Sequence, residues 1–250
     1  MLTIRDAQLD VLSRQPRVRF EADLARHVRR YFPHECERGD VAGFVRMGIQ
    51  RAAAHGFDAQ VDTALYLNLM AMLGAEFDED PQIPWAARGL DDPSIPSPSA
   101  RLNGVYDRAV AFLESACGRK NLYLVRAKLR IRRQEFDSLN KYRWNALPPV
   151  LAGFLEGIYP QKAARSGESA MKDLTLHAAE TARNRGVATG RAAGIHALHM
   201  FMLGSGYERD PFYPWAAEIL DAGGAGPVDA RFDHMLEASL AYLERTLRTQ

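Results

Sequence analysis

Two histidines lie three residues apart, a spacing at which both side chains can face one metal ion from the same helix. They are His196 and His199, and His177 lies on the helix expected just before them. No carboxylate or cysteine accompanies them at a ligand spacing. The positions 130 residues earlier carry the packing residues Tyr66 and Leu69. We therefore interpret the histidines as core residues and expect no metal or other cofactor.

A second cluster of reactive side chains, His34, Glu35 and Cys36, follows Pro33. A catalytic thiol requires a base and a group that orients the base, and the spacing here identifies neither. The sequence also lacks a Gly-rich phosphate loop and the G-x-S-x-G, H-E-x-x-H and C-x-x-C motifs. It therefore predicts a protein that is not an enzyme.

Basic and aromatic residues alternate in the segment 119–143, which holds nine bases and two acids together with Tyr123 and Tyr142. Such a segment could bind RNA or DNA. It could also be a solvated helix that links two parts of the chain and docks on an acidic first part. The formal net charge of the chain is only +1, which argues against a bulk nucleic-acid binder and favours the linking helix.

These residues belong to a chain that repeats itself. Residues 72–90 and 202–220 are identical at ten of 19 positions, with an offset of 130. Residues 2–12 match residues 129–139 more weakly, at an offset of 127. A period of this length suits a duplicated domain rather than a solenoid. We therefore predict a first copy over residues 1–118, and a basic linker helix plus a second copy over residues 119–250.

Apolar residues recur at helical spacing throughout both copies, so we predict an all-α protein with two similar helical domains. Strand patterns are scarce, and the best candidate, 121–131, is interpreted as a helix or an extended linker. The expected helices are Val41–Ala54, Asp58–Leu73, a short helix after Pro84, Ser99–Ala116, Gln134–Lys141, Pro148–Ile158, Glu168–Arg185, Gly190–Leu203, Tyr213–Leu220 and Asp229–Thr246.

The most specific shared feature is the element D-P-x-x-P-W-A-A. Its aspartate suits a turn cap, its second proline suits the first turn of a helix, and its tryptophan suits a core anchor. A binding pocket built around the tryptophan is the alternative, and we favour the structural role. The residues concerned are Asp80, Pro84 and Trp85 in the first copy and Asp210, Pro214 and Trp215 in the second.

The two copies differ around this element in a way that suggests a partner-binding site. The second copy carries Tyr207, Arg209, Phe212 and Tyr213 where the first carries Phe77, Glu79, Gln82 and Ile83. Aromatic residues and arginine are enriched at interface centres. We therefore hypothesise that these four second-copy residues contact a protein. The alternative is that the two rings at 212 and 213 fold back onto the core of their own copy.

The order of motifs resembles small helical bacterial proteins encoded beside type VI secretion effector and spike genes. The resemblance covers most of the first copy and the second more thinly, and its usual form has a single copy. It implies the handling of a secreted toxin, as a loading adaptor, chaperone or immunity protein. The residues that carry it are Leu2, Ile4, Arg5, Gln8, Phe32, Pro33, Gly56, Phe57, Leu67, Met70, Gly74, Phe77, Asp78, Asp80, Pro81, Pro84 and Trp85.

We therefore expect a non-enzymatic protein-binding module whose partner is a secreted effector or a spike component. The alternative is a nucleic-acid-binding regulator that uses the segment 119–143. The charged N-terminus predicts no signal peptide, and no apolar stretch is long enough to span a membrane. Cys36 and Cys117 are the only cysteines. Together these features predict a protein of the bacterial cytoplasm.

Overall fold

A computed structural model describes residues 6–221 and 227–248 of the chain. Within these residues the regular structure is entirely helical, without a strand, so the expected all-α class is confirmed. Residues 2–5 of the upstream repeat lie outside the described part. No helix in the described part is both long and apolar enough to cross a membrane.

The first half of the chain contains six helices. Asp40 and Ser97 cap the third and the sixth, since their side chains accept from the amides of Gly43 and Ala100. The longest of the six precedes the region in which the sequence predicts helices, and the others lie within two residues of the expected bounds. The six are α1 (Asp6–Tyr31), α2 (Pro33–Cys36), α3 (Val41–Ala54), α4 (Gln60–Leu73), α5 (Trp85–Leu90) and α6 (Pro98–Cys117).

A short irregular segment joins the halves. Lys120 and Asn121 both have left-handed backbone conformations, with φ of 52° and 57°, and α7 (Leu122–Ile131) follows them directly. The helical interpretation of this basic segment is thus correct. The helix expected over 134–141 forms only as a 3₁₀ turn, Phe136–Lys141, because Glu135 before it and Tyr142 after it have non-helical dihedrals.

The second half contains six further helices. Thr189 caps the helix that begins at Gly190, as its hydroxyl accepts from the amide of Ala192. Bounds agree with the sequence expectation to within one or two residues. The six are α8 (Leu147–Ile158), α9 (Pro160–Ser166), α10 (Glu168–Asn184), α11 (Gly190–Leu203), α12 (Pro214–Asp221) and α13 (Val228–Arg248).

Two hydrophobic clusters form the interior. One is built from residues between Leu24 and Phe112, and the other from residues between Ala127 and Leu236. The first cluster also contains one residue from the second half of the chain, Phe212. The two halves therefore have separate cores that are joined where the chain exchanges side chains between them.

Candidate functional site

The two D-P-x-x-P-W-A-A loops pack against each other, and the aspartate of each binds backbone amides of both loops. In each case one carboxylate oxygen accepts from the amide two residues further on in its own loop, at 2.9 Å. The other oxygen crosses over: Asp80 accepts from the amide of Ser205 at 2.9 Å, and Asp210 accepts from that of Ala75 at 3.0 Å. The turn caps expected from the sequence are present, and each also binds the opposite loop.

Close backbone contact accounts for the repeated glycines. Gly74 and Gly204 end α4 and α11 with φ of 110° and 105°, a region that favours glycine. A Cβ atom on Gly74 would lie 2.7 Å from the carbonyl oxygen of Leu203, and one on Gly204 would lie 3.1 Å from that of Leu73. The ends of α4 and α11 therefore touch through their main chains.

Positions 82 and 212 both reach across this contact. Phe212 is 4% exposed and stacks on Phe44 of the first cluster, with ring centroids 3.8 Å apart and planes 11° apart. Gln82 donates from Nε2 to the carbonyl of Met200 in α11, at 3.0 Å. The expectation of an exposed Phe212 is therefore wrong, and so is the alternative that its ring folds onto its own half.

The other three expected partner-binding residues are also engaged within the chain. Tyr207 is 1% exposed, so it offers no surface to a partner. Arg209 forms a bidentate ion pair with the buried Glu76, from Nε at 2.8 Å and from Nη2 at 2.5 Å. Tyr213 is half-buried beside the ring of Trp215. The four residues thus form part of the internal contact rather than an aromatic surface patch.

The two tryptophans differ in burial. Trp85 is 7% exposed, packs on Phe112 with ring centroids 5.9 Å apart, and lies beneath the guanidinium of Arg108 at 5.1 Å. Trp215 is half-buried. The prolines before them, Pro84 and Pro214, lie at the starts of α5 and α12 as expected. Trp85 matches the expected core anchor, whereas Trp215 is partly accessible.

A buried carboxylate organises a polar network in the first half. Asp78 accepts from the hydroxyl of Tyr66 at 2.8 Å and from Nη2 of Arg51 at 2.6 Å, and its other contact is Nε2 of His55 at 3.0 Å. Burial opposes the ionisation of Asp78, but the hydrogen bonds from His55 and Arg51 outweigh it and lower its pKa to about 2. The hydrogen bond to Asp78 in turn raises the pKa of His55.

The equivalent positions of the second half hold a network of the same kind with different bases. Glu208 lies 130 residues after Asp78, and its carboxylate contacts Arg185, which lies 130 residues after His55. His196 lies 3.5 Å from Glu208 through Nδ1. The carboxylate position is thus kept, while arginine has moved to the position that the histidine occupies in the first half.

The histidines considered as metal ligands are separated by these contacts. Thr181 donates to the carbonyl of His177 and so accepts from Nε2 of His196, which leaves Nδ1 to accept from Tyr207 at 2.8 Å. Burial lowers the pKa of His196 to about 3 and that of His199 to about 4, so both are neutral. His177 is exposed. Within the described residues no three potential ligands converge.

Two neighbouring cavities flank the contact between α4 and α11. The first, of about 200 Å³, is the junction cavity, and the second has about 240 Å³. They share apolar walls from the last turns of both helices and from α7. The shared residues are Ala71, Met72, Leu124, Met202, Leu203 and Tyr213. The junction of the halves is therefore incompletely filled, and α7 lies over the gap.

An exposed surface made by residues 119–143, which we term the basic face, carries most of the bases of this segment. Leu122 and Leu129 are 45% and 46% exposed, and Tyr142 is 39% exposed. The ion pairs within the described part of the chain do not include its exposed bases, apart from the partnered Arg132. The exposed bases are Arg119, Lys120, Arg126, Arg132, Arg133, Lys141 and Arg143.

Comparisons with protein-family models, with curated proteins and with solved structures found no match to this chain. The class that the fold and the site define is therefore structural: an all-helical protein whose two cores are joined by exchanged loops, with paired cavities and a basic face beside the junction.

The sequence pointed to the loops but missed what they do together. Asp80 and Asp210 were expected to bind only their own turns, and nothing in a sequence shows which opposite amide a carboxylate meets. The Asp78 and Glu208 networks had a signal, since an acid recurs at both positions next to the motif. Lys162, which lines the junction cavity, had no signal at all.

Proposed function

We propose that the protein is a non-enzymatic protein-binding module of the bacterial cytoplasm. In this proposal it serves a secreted toxin or effector as an adaptor, a chaperone or an immunity protein. The resemblance of its motifs to proteins encoded beside type VI secretion genes supports that role. The observation that carries the proposal is the basic face, where apolar and basic side chains are exposed together.

The proposal includes an internal duplication, with the second copy following a basic linker helix. Three features support it: the ten identities among 19 positions in residues 72–90 and 202–220, the repeated order of helices, and the matched contacts of Asp80 and Asp210. Duplication would leave α7 as the element without a counterpart in the described first half. A new surface on α7 would then be a feature that the single-copy form lacks.

The chemistry of the basic face defines the partner. Leu122 and Leu129 lie on α7 among Arg126 and Arg133, so the face combines apolar contact with positive charge. A partner surface of complementary character is acidic at its rim and apolar at its centre. Charge complementarity would speed the encounter and fix the orientation, while the leucines would supply most of the contact area.

Co-purification tests the proposal directly. The tagged protein is expressed in a bacterial host together with the products of its neighbouring genes, and the captured proteins are identified. We expect one effector or spike component to be retained, and we expect the double change Arg126→Glu with Arg133→Glu to reduce retention at least tenfold. Capture that is unchanged by this reversal would refute the assignment of the basic face.

A matched control keeps the charge change and moves it elsewhere. Arg165 and Arg183 are also exposed arginines on helices, outside the basic face. The double change Arg165→Glu with Arg183→Glu should leave capture and the melting temperature unchanged. Loss of capture in both doubles would show that net charge, rather than the basic face, controls the result.

The alternative function is nucleic-acid binding by the same face. It is favoured by one observation, the exposed Tyr142 among Lys141 and Arg143, since bases stack on aromatic rings beside cations. A titration with single-stranded RNA and duplex DNA at several salt concentrations distinguishes the two functions. Binding that weakens steeply as salt rises would support this alternative, and its absence at low salt would exclude it.

A further inference from the structure

The junction cavity is apolar on nearly all sides. Its walls include Met72 and Leu73 from the end of α4, Met202 and Leu203 from the end of α11, and Phe112 from α6. Its volume is about 200 Å³. An apolar cavity of about 150 Å³ is known to stay dry and to bind a molecule the size of benzene. The junction cavity is therefore large enough to take an apolar group.

One charged side chain lines this cavity. Lys162, at the start of α9, is the only charged residue among the described residues around it, and no carboxylate joins it there. Its ammonium donates to the carbonyl of Phe201 and lies 5.1 Å from the centre of that residue's ring. Burial lowers the pKa of Lys162 to about 8, although the charge of Asp80 opposes the shift.

The nearby acid is not available to neutralise this lysine fully. Asp80 already accepts from the amides of Gln82 and Ser205 and from the side-chain amide of Gln82, at 2.8–2.9 Å. Within the described residues, Lys162 forms no ion pair shorter than 4 Å. An anion placed at the cavity wall would therefore stabilise an ammonium group that the protein leaves partly uncompensated.

The second cavity extends the available space. It adjoins the first across Ala71, Met72 and Leu124, so an alkyl chain that fills one cavity can continue along α7 toward the other. The second cavity contains both an acid and a base, Glu35 and Lys128, and so has no comparable preference for an anion. The distribution of charge thus orients a ligand with its negative end at Lys162.

We propose that the junction cavity is a binding site for a small amphiphilic carboxylate, such as a medium-chain fatty acid. The carboxylate pairs with Lys162, and the alkyl chain lies between Met72 and Met202 at the contact of the two halves. This site is distinct from the basic face and does not rest on the identity of any protein partner.

Calorimetric titration with three probes of equal chain length tests the site: decanoate, decanol and decyltrimethylammonium, all below their micelle concentrations. We expect decanoate to bind at one site per chain, with a Kd below about 100 µM, and the cationic probe not to bind. Octanoate should bind about 15-fold more weakly than decanoate, because each methylene contributes about fourfold. Equal affinity for the three head groups, or no binding of decanoate, would overturn the proposal.

Two variants locate the ligand. Lys162→Met keeps the length of the side chain and removes the charge, so decanoate should bind at least tenfold more weakly while decanol is unaffected. Ala71→Phe fills space that both cavities share and should weaken both probes, with Val61→Phe, at an exposed position of the same helix, as the control. Binding that survives both Lys162→Met and Ala71→Phe would place the ligand elsewhere and refute the site.

Discussion

Asp80 and Asp210 each bring two backbone amides to one carboxylate, and one amide of each pair belongs to the other half of the chain. A buried carboxylate is costly unless its oxygens are hydrogen-bonded, and these bonds meet that requirement. The same residue type therefore shapes a local turn and fixes the contact between halves. This double role explains why the aspartate recurs in both loops.

The two acids are not equivalent in protonation. Burial raises the pKa of Asp210 to about 6, and the neighbouring Glu76 adds to the shift. A carboxyl whose folded pKa lies above its unfolded value of 3.8 stabilises the fold most when it is protonated. That contribution is complete below pH 3.8 and is lost as the pH rises through 6.

The change Asp210→Asn tests this assignment. Asparagine cannot ionise, so the free energy of unfolding of the variant should lack the part of the pH dependence that Asp210 supplies. Between pH 4 and 7 the wild type should lose about 2–3 kcal/mol relative to the variant, the amount expected for a shift of about two pKa units. Urea denaturation at several pH values measures it, and parallel curves for the two proteins would contradict it.

Phe212 is the aromatic side chain that joins the two cores. Its ring stacks on Phe44 at 3.8 Å and is 4% exposed, so Phe212→Ala leaves a cavity in the first cluster. We expect a loss of about 3–5 kcal/mol in the free energy of unfolding. The neighbouring half-buried Tyr213, changed to alanine, should cost clearly less. Near-equal denaturation midpoints for Phe212→Ala and the wild type would rule out this packing role.

At the scale of elements, most helices followed from the sequence. Apolar spacing and capping residues predicted α3, α4, α6 and α8–α13 closely, because these signals are local. The long α1 was not foreseen, and the basic segment was left open between helix and linker. Its helix starts at Leu122, after two residues with left-handed backbone conformations that no sequence pattern announces.

Side-chain exchange was beyond the sequence for a different reason. Gln82 and Ile83 are replaced by Phe212 and Tyr213, and this difference suggested an exposed aromatic patch. Whether a ring faces solvent, its own core or the opposite core depends on how the two loops meet. Local pattern therefore predicted the motif and its turn, while the site at the junction needed the tertiary contact.

The turn between α6 and α7 offers an element-scale prediction. Lys120 has φ of 52° and ψ of 38°, a conformation that costs a residue with a Cβ about 1 kcal/mol or more. Lys120→Gly should therefore stabilise the protein by about 0.5–1 kcal/mol, even though glycine gains entropy in the unfolded chain. Thermal denaturation measures it. Lys141→Gly, in the second 3₁₀ turn, is the control and should not stabilise the protein.

On the scale of the whole molecule, the two halves behave as partners that share a chain. Each has its own hydrophobic cluster, but the first cluster is completed by Phe212 and the second half receives Gln82. The ion pair between Arg209 and Glu76 spans the same contact. Such reciprocal contacts resemble those of a twofold dimer, in which each subunit repeats the same interactions with the other.

Dividing the chain therefore gives the most demanding prediction for the whole molecule. Residues 1–118 and 119–250, produced as separate polypeptides in one cell, should co-purify as a one-to-one complex, because the contact between the halves does not depend on chain continuity. Residues 1–118 alone would lack Phe212 and expose the ring of Phe44 and the amide of Ala75, so we expect them to aggregate or self-associate. Size-exclusion chromatography and circular dichroism distinguish these outcomes. In the complex, Phe212→Ala should weaken association at least tenfold, whereas Leu176→Ala, at an exposed position of α10, should leave it unchanged. A first half that is monomeric and cooperatively folded by itself would show that the exchanged residues are dispensable, and the two cores would then be independent domains.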